Sequence, residues 1–376
     1  MKVLFIIDTL IGYGAEKSLV EIILRFKKIN ATVVHLYEGD ELKGKLENNG
    51  VSVYSLNLTQ KQSSQDVLRI LKSIIQTENP KIIHTTLFRS EIVGRRLKKI
   101  YPDILLVGSF VSNSYSKHRY RNLSLLSQIK LLSTQWKDKL SAGKVDFFIS
   151  NSKAIKFSNA KALGVDKDKI VVIYRGRDVS SLNKKDGSFV LNEIDLQNKK
   201  VFLNVARLQK SKGQMDLLRA FKGFNQKHRE SILLIVGEGN YRKKLEMFIE
   251  INSLEKEVYL LGYRKDVSDI LSLSDFFIFP SYYEGLPGAL IEAILSKTPT
   301  IISDIPENRE CIPENTALFF EPGNIQGIQK RMEQALQPRD WSKRTYKARD
   351  YAILNFNIDN VSKEYEEFYF EKGGSR

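Results

Sequence analysis

Short unbroken apolar runs recur along the chain, and most are followed by a longer segment whose apolar residues return every three or four positions. Residues 3–7, 32–36, 51–56, 81–84, 104–111 and 146–150 read as buried strands, and 15–27 and 67–75 as helices. The first of these helices sets Leu19, Ile22, Ile23 and Phe26 along one face. Strands alternating with helices predict βαβ units and a mainly parallel sheet. The pattern restarts in the second half, with strands at 201–205, 232–236, 258–261, 275–279 and 300–302 and helices at 214–224 and 241–251. Between the halves, 177–200 is Ser-, Asn-, Lys-, Asp- and Gly-rich with little periodicity, as a linker is. The expected architecture is therefore α/β, with two doubly wound Rossmann-like domains facing a cleft, and ligands at the carboxyl ends of the strands. The domains are placed at 1–180 and 200–355, with 181–199 linking them. A last helix from about 356 carries Val361, Tyr365, Phe368 and Tyr369 for docking, and Ser375 and Arg376 look frayed.

The length of 376 residues suits two cores rather than one. The single cysteine, Cys311, excludes an intrachain disulfide and reads as an inert small residue in a reducing compartment. The opening run, Met1-Lys-Val-Leu-Phe-Ile-Ile-Asp8, is too short for a signal peptide, and no run approaches the roughly 18 apolar residues of a membrane span. A cytoplasmic protein, soluble or held at the inner membrane face, is expected. Charge sharpens this. Residues 1–190 hold 32 Lys and Arg against 17 Asp and Glu, whereas 191–376 hold 27 of each, so the first half carries the whole excess of +15. Such asymmetry suggests a polyanionic partner for that half. No basic stripe interleaved with aromatics and no recognised module supports nucleic acid, so an anionic membrane surface is the partner expected.

The strongest local constellation is Ser281-Tyr-Tyr-Glu-Gly-Leu-Pro-Gly-Ala-Leu-Ile-Glu292, which follows the strand at 275–279. Pro287 suits the first position of a helix, whose free N–H groups and positive dipole end face whatever lies above the strand. Gly285 and Gly288 remove side chains where a ligand would approach the backbone. Glu284 and Glu292 offer carboxylates to vicinal hydroxyls, although two acids complementing a helix N-terminus would look the same. A second strand–helix turn, Asn204-Val-Ala-Arg-Leu-Gln-Lys-Ser-Lys-Gly213, places Arg207, Lys210 and Lys212 where cations oppose the dipole. A diphosphate would explain them, and so would a solvated loop. Gly12-Tyr-Gly14-Ala-Glu-Lys17 starts like a dinucleotide fingerprint, but Lys17 stands at the third glycine's place, leaving a phosphate or sugar loop or a plain turn. His84 ends a strand and either lines the cleft or is structural. His35, His118 and His228 have no constellation around them, so no metal site is expected. Last, Leu125, Ile129, Leu132, Trp136 and Leu140 form a stripe at helical spacing flanked by Lys130, Lys137 and Lys139 and preceded by Lys117, Arg119 and Arg121. It fits an anionic membrane surface or an ordinary core contact.

These residues together resemble the retaining glycosyltransferases of the two-domain GT-B fold, over nearly the whole chain. The likeness is carried by Asp146-Phe-Phe-Ile-Ser-Asn-Ser152, Lys169-Ile-Val-Val-Ile-Tyr-Arg-Gly176, Val236-Gly-Glu-Gly239, Leu261-Gly-Tyr-Arg264 and Glu321-Pro-Gly323. Above all it rests on the paired glutamates Glu284 and Glu292, with seven residues between them, in their Glu-Gly-Leu-Pro context. The resemblance implies that Arg207 and Lys212 hold the donor diphosphate, Glu292 the ribose and Glu284 the transferring sugar. It places Gly285, Leu286 and the backbone from Pro287 through Gly288 and Ala289 to Leu290 near sugar and phosphate, with Arg264 bordering the base and Gly237 and Gly14 on the donor side. It further implies Gly12, His84, Ser112, Asn113 and Arg175 on the acceptor side, no cofactor or metal, and a final helix, 356–374, crossing back to the first domain.

Two departures matter: Val111-Ser-Asn113 stands where many members carry a histidine, and Arg175-Gly-Arg-Asp178 replaces the usual Asn-Gly-Ile-Asp. The added cations face an anionic acceptor or solvent. The implied reaction moves a hexose or N-acetylhexosamine from a UDP-sugar, ahead of a GDP-sugar, to a glycan or lipid-linked acceptor in surface polysaccharide synthesis. The alternatives are a nucleotide-sugar epimerase or phosphorylase on the same fold, the latter disfavoured by the lack of a lysine-anchored cofactor signature, and a non-catalytic sugar or polyanion binder.

Overall fold

The structure is a computed structural model that describes residues 1–58, 64–121, 123–180 and 194–374. Its chain divides into two compact units, one of Met1–Gly176 with Phe356–Arg376, the other of Arg177–Asn355. The greater part of the expected linker, 181–193, and the terminal Ser375 and Arg376 lie outside the described residues.

The first unit is built on seven parallel strands: β1 (Lys2–Ile7), β2 (Asn30–His35), β3 (Ser52–Ser55), β4 (Ile82–Thr86), β5 (Leu105–Phe110), β6 (Phe147–Ser150) and β7 (Ile170–Val172). They lie in the order β3-β2-β1-β4-β5-β6-β7. Helices cover both faces, which is why Val3 to Ile7 form an unbroken run with no exposed residue. The second unit repeats the design with six parallel strands, β8 (Lys200–Val205), β9 (Ser231–Val236), β10 (Val258–Gly262), β11 (Phe276–Phe279), β12 (Thr300–Ser303) and β13 (Leu318–Phe320), ordered β10-β9-β8-β11-β12-β13. The two short strands β7 and β13 were not among the runs read from the sequence. Each is three residues long and closes an edge, where alternation has too few positions to register.

The last helix, Ile358–Gly374, belongs to the first unit and follows a separate helix, Trp341–Phe356. Val361, Tyr365, Phe368 and Tyr369 join the core cluster of Phe5, Ile7 and Ile82. Glu366 fixes the docking: its Oε1 accepts the backbone N–H groups of Lys27, Lys28 and Ile29 at 2.8, 2.6 and 3.1 Å. Gly176, where the chain leaves the first unit, lies against Ile358, where it re-enters. A Cβ at Gly176 would stand 2.4 Å from the Ile358 Cα.

Candidate functional site

Strand order reverses between β8 and β11 in the second unit, and crevices for ligands open beyond the carboxyl ends of strands at such a point. The turn after β8 carries Arg207, Lys210 and Lys212, and the turn after β11 carries Glu284. They meet there. Lys212 Nζ donates to Glu284 Oε1 at 2.6 Å, with the two side chains only 14% and 10% exposed. The turns are locked by backbone. Tyr282 N–H donates to Ser211 O at 2.9 Å. Gly213 has φ +71° and lies so close under Pro280 that a Cβ would be 2.1 Å from the Pro280 carbonyl oxygen. From the floor, Ser303 Oγ donates to Ser281 O at 2.6 Å. The Tyr282 hydroxyl donates to Asp216, and burial together with that carboxylate pushes the phenol above its ordinary range.

The helix that follows runs Gly288–Leu295, so Pro287 caps it rather than opening it, with φ −76° and ψ 93°. Proline has no N–H, and the amides of the first helical turn, from Gly288 to Leu290, are those without an acceptor inside the helix. Leu286 and Leu290 are buried, so these positions offer a ligand backbone rather than side chain. Glu292 lies one turn in, where its Oε1 accepts from Arg177 Nε at 2.8 Å. The Arg177 guanidinium lies directly on Gly288, where a Cβ would come within 1.6 Å of Nη2. Arg177 was missed as a site residue; its one sequence signal was the departure at Arg175-Gly-Arg-Asp178.

Two further positions expected on the donor side are held by local contacts. The Gly237 N–H already donates to Gly262 O at 2.7 Å. At φ +138° a Cβ there would lie 2.0 Å from Ala206 O, so the turn bearing the exposed Arg207 requires glycine at 237. Arg264, beyond the edge strand β10, grips Asp266 through two bonds of 2.8 and 2.5 Å and holds that carboxyl below its usual range. It lies two strands away from the reversal.

In the first unit, Gly12 takes φ +94° and Gly14 opens the helix Gly14–Ile23. Arg175 joins this loop, Nη1 reaching Gly14 O at 3.4 Å. Ser112 is exposed and shares a hydrogen bond with Ser114, and Asn113 Oδ1 accepts from Ser158 Oγ at 2.6 Å. Ser112 also lines a cavity of 190 Å³ with Glu91, Ser109, Tyr115 and Asn159. His84 requires correction. It is 1% exposed, its Nδ1 bonds the Tyr369 hydroxyl and its Nε2 the Ser109 Oγ at 2.7 Å. The final helix buries it, and nothing is left to present to an acceptor. Among the described residues, no three His, Cys, Asp or Glu side chains gather as a metal site would require.

Two Rossmann-like units, one with paired acids and bases at its topological reversal, define the GT-B class of nucleotide-sugar enzymes. The family models Glycosyltransferase Family 4 and Glycosyl transferases group 1 match residues 13–181 and 192–351, and the chain belongs to these GT-B glycosyltransferases. An Escherichia coli UDP-Gal:alpha-D-GlcNAc-diphosphoundecaprenol alpha-1,3-galactosyltransferase is 26% identical over 80% of this chain and 78% of its own length. A Staphylococcus aureus capsular polysaccharide biosynthesis glycosyltransferase, CapH, is 25% identical over 88% and 87%. The crystal structure of Anabaena HepE in complex with UDP and glucose shares the fold, with TM-score 0.84 and 21% identity over 99% of this chain and 100% of that one.

Proposed function

We propose that this protein is a retaining glycosyltransferase that moves a hexose or N-acetylhexosamine from a UDP-sugar to a glycan or lipid-linked acceptor in bacterial surface polysaccharide synthesis, working at the inner membrane face. The observation that carries the reading is the Lys212–Glu284 pair, 2.6 Å apart at the sheet reversal and followed at once by the helix that holds Glu292. Lys212 and Arg207 offset the charge of the donor diphosphate, with the amides of Gly288, Ala289 and Leu290 beside them. Glu284 accepts hydroxyls of the transferring sugar, and Glu292, steadied by Arg177, accepts those of the ribose. The acceptor hydroxyl attacks the anomeric carbon on the face from which UDP departs. The bond from that carbon to the phosphate oxygen breaks as the new glycosidic bond forms, and the hydroxyl proton passes to the leaving phosphate, so configuration is retained. Cations of the chain itself stabilise the leaving group, and the reaction proposed uses no cofactor and no resident metal. Residues of the first unit, among them Gly12, Ser112, Asn113 and Arg175, serve the acceptor. The names of the E. coli and S. aureus relatives, and the UDP held by HepE, support donor and pathway.

The test is turnover of labelled UDP-galactose, UDP-glucose, UDP-N-acetylglucosamine and GDP-mannose, with and without a polyprenyl-diphosphate-linked sugar and with excess EDTA. The expected result is a product of retained configuration from a UDP-sugar, unaffected by EDTA, and a loss of about 100-fold or more in Glu284→Gln. No turnover of any donor, or full turnover in that variant, would sink the reading.

A further inference from the structure

The helix Leu125–Ala142 turns one side to its own unit, burying Leu131, Asp138 and Ala142, with Asp138 paired to Arg95 at 2.5 Å. Its other side is bare. Leu125, Ile129, Leu132, Trp136 and Leu140 follow one another at steps of four, three, four and four residues, and are 77, 63, 55, 64 and 62% exposed, with Leu126 beside them at 82%. The stripe does not pack on a core, which removes one of the two readings its spacing allowed.

Charge selects the occupant. At 3.6 residues per turn, Lys130 and Lys137 run along one border of the stripe and Lys139 along the other. All three are exposed, while the one acid of the helix, Asp138, is on the buried side. Exposed Lys117 and Arg121 lie just before it. A second copy docked through this face would bring lysines to lysines with no acid to meet them. An apolar stripe edged by cations and carrying an exposed Trp matches a helix lying in the plane of an anionic lipid surface, chains buried among the acyl tops and lysines at the headgroups. No helix among the described residues is long and apolar enough to cross a membrane, so an in-plane contact is the form of attachment the described helices provide.

We propose that the helix Leu125–Ala142 is a membrane-docking surface for anionic lipid bilayers, inserting Ile129, Leu132, Trp136 and Leu140. This deepens the membrane placement proposed above but rests on the exposed stripe alone. Its test uses no nucleotide sugar, so its failure and that of the enzymatic reading are separable.

The full-length protein is floated with vesicles of phosphatidylcholine, with or without phosphatidylglycerol, in the absence of substrate. Binding is expected to the anionic vesicles, with a blue shift of Trp emission that Trp136→Ser abolishes. Ile129→Ser, Leu132→Ser and Trp136→Ser together should weaken binding more than about tenfold. Lys130→Gln, Lys137→Gln and Lys139→Gln should weaken it by about fivefold per charge at low salt and erase the preference for anionic lipid. These positions are exposed, so circular dichroism is expected to be unchanged in both variants. The proposal is overturned if the wild type ignores anionic vesicles, if the triple serine variant floats equally well, or if sedimentation without lipid shows a dimer that the serine variant disperses.

Discussion

Acid should weaken the first unit through one buried imidazole, and the size of the effect follows from how His84 is enclosed. The ring sits on β4 between the Tyr369 hydroxyl and Ser109 Oγ, with the Tyr365 ring stacked on it at a centroid distance of 6.3 Å. Burial pulls its pKa down from 6.5 to about 3. Below 6.5 the unfolded chain takes a proton that the folded one refuses until near 3. The stabilisation is therefore complete above 6.5 and is lost as pH falls through that window. Linkage makes the loss roughly 1 kcal/mol at pH 5.5 and roughly 3 kcal/mol at pH 4.5. Hydrogen exchange of the β4 amides, corrected for intrinsic rates, reads the opening free energy of this unit across the range. Glu91 works in the opposite sense, since burial raises its carboxyl to about 7 and its contribution is lost as pH rises towards that value. Comparing wild type with His84→Gln cancels Glu91 and isolates the imidazole. The wild type should lose protection on acidification faster than the variant by the amounts above. A wild-type-minus-variant difference that stays flat from pH 7.5 to 4.5 would refute the neutral, buried assignment.

Three further outcomes are expected. Glu366→Ala strands the N–H groups of Lys27, Lys28 and Ile29, and should cost about 1–3 kcal/mol by thermal or denaturant unfolding, whereas Glu366→Gln should recover part of it. Gly213→Ala forces a Cβ against Pro280 O at φ +71°, so the second unit should lose more than about 1 kcal/mol and, with Lys212 displaced, most donor turnover. An Ala protein of wild-type melting temperature and rate would show that the two turns are not locked. Arg177→Ala should raise the KM for donor several-fold while changing stability by no more than about 1 kcal/mol, because the Arg177–Glu292 pair is partly solvated. An unchanged KM would remove Arg177 from the ribose side of the site.

Most of the strands were legible from the apolar runs alone, since a parallel sheet covered on both faces admits little else. The runs that failed were β7 and β13, too short for any period to show. Each half of the candidate site was also legible as chemistry, an acidic turn and a basic turn, each between a strand and a helix. Their meeting was not. Lys212 and Glu284 are 72 residues apart, and only the order β9-β8-β11-β12 sets their turns side by side. Arg177 reaches Glu292 across 115 residues. His84 could not be settled from its strand, because what covers it is Tyr369, 285 residues later.

By itself, then, the sequence determined element types, the two-unit α/β plan, the glutamate pair with its glycines and the charge imbalance between halves. All of these are local or additive properties, read from neighbours within a turn or a strand or by counting. Which polar groups pair, which histidines are entombed and which apolar stripe stays bare depend on surfaces brought together across long stretches of chain. Leu125 to Leu140 shows the difference most plainly: the spacing makes an amphipathic helix, but its period is the same whether the apolar face is covered or open. Only the packing of Leu131, Asp138 and Ala142 decides which side faces inward.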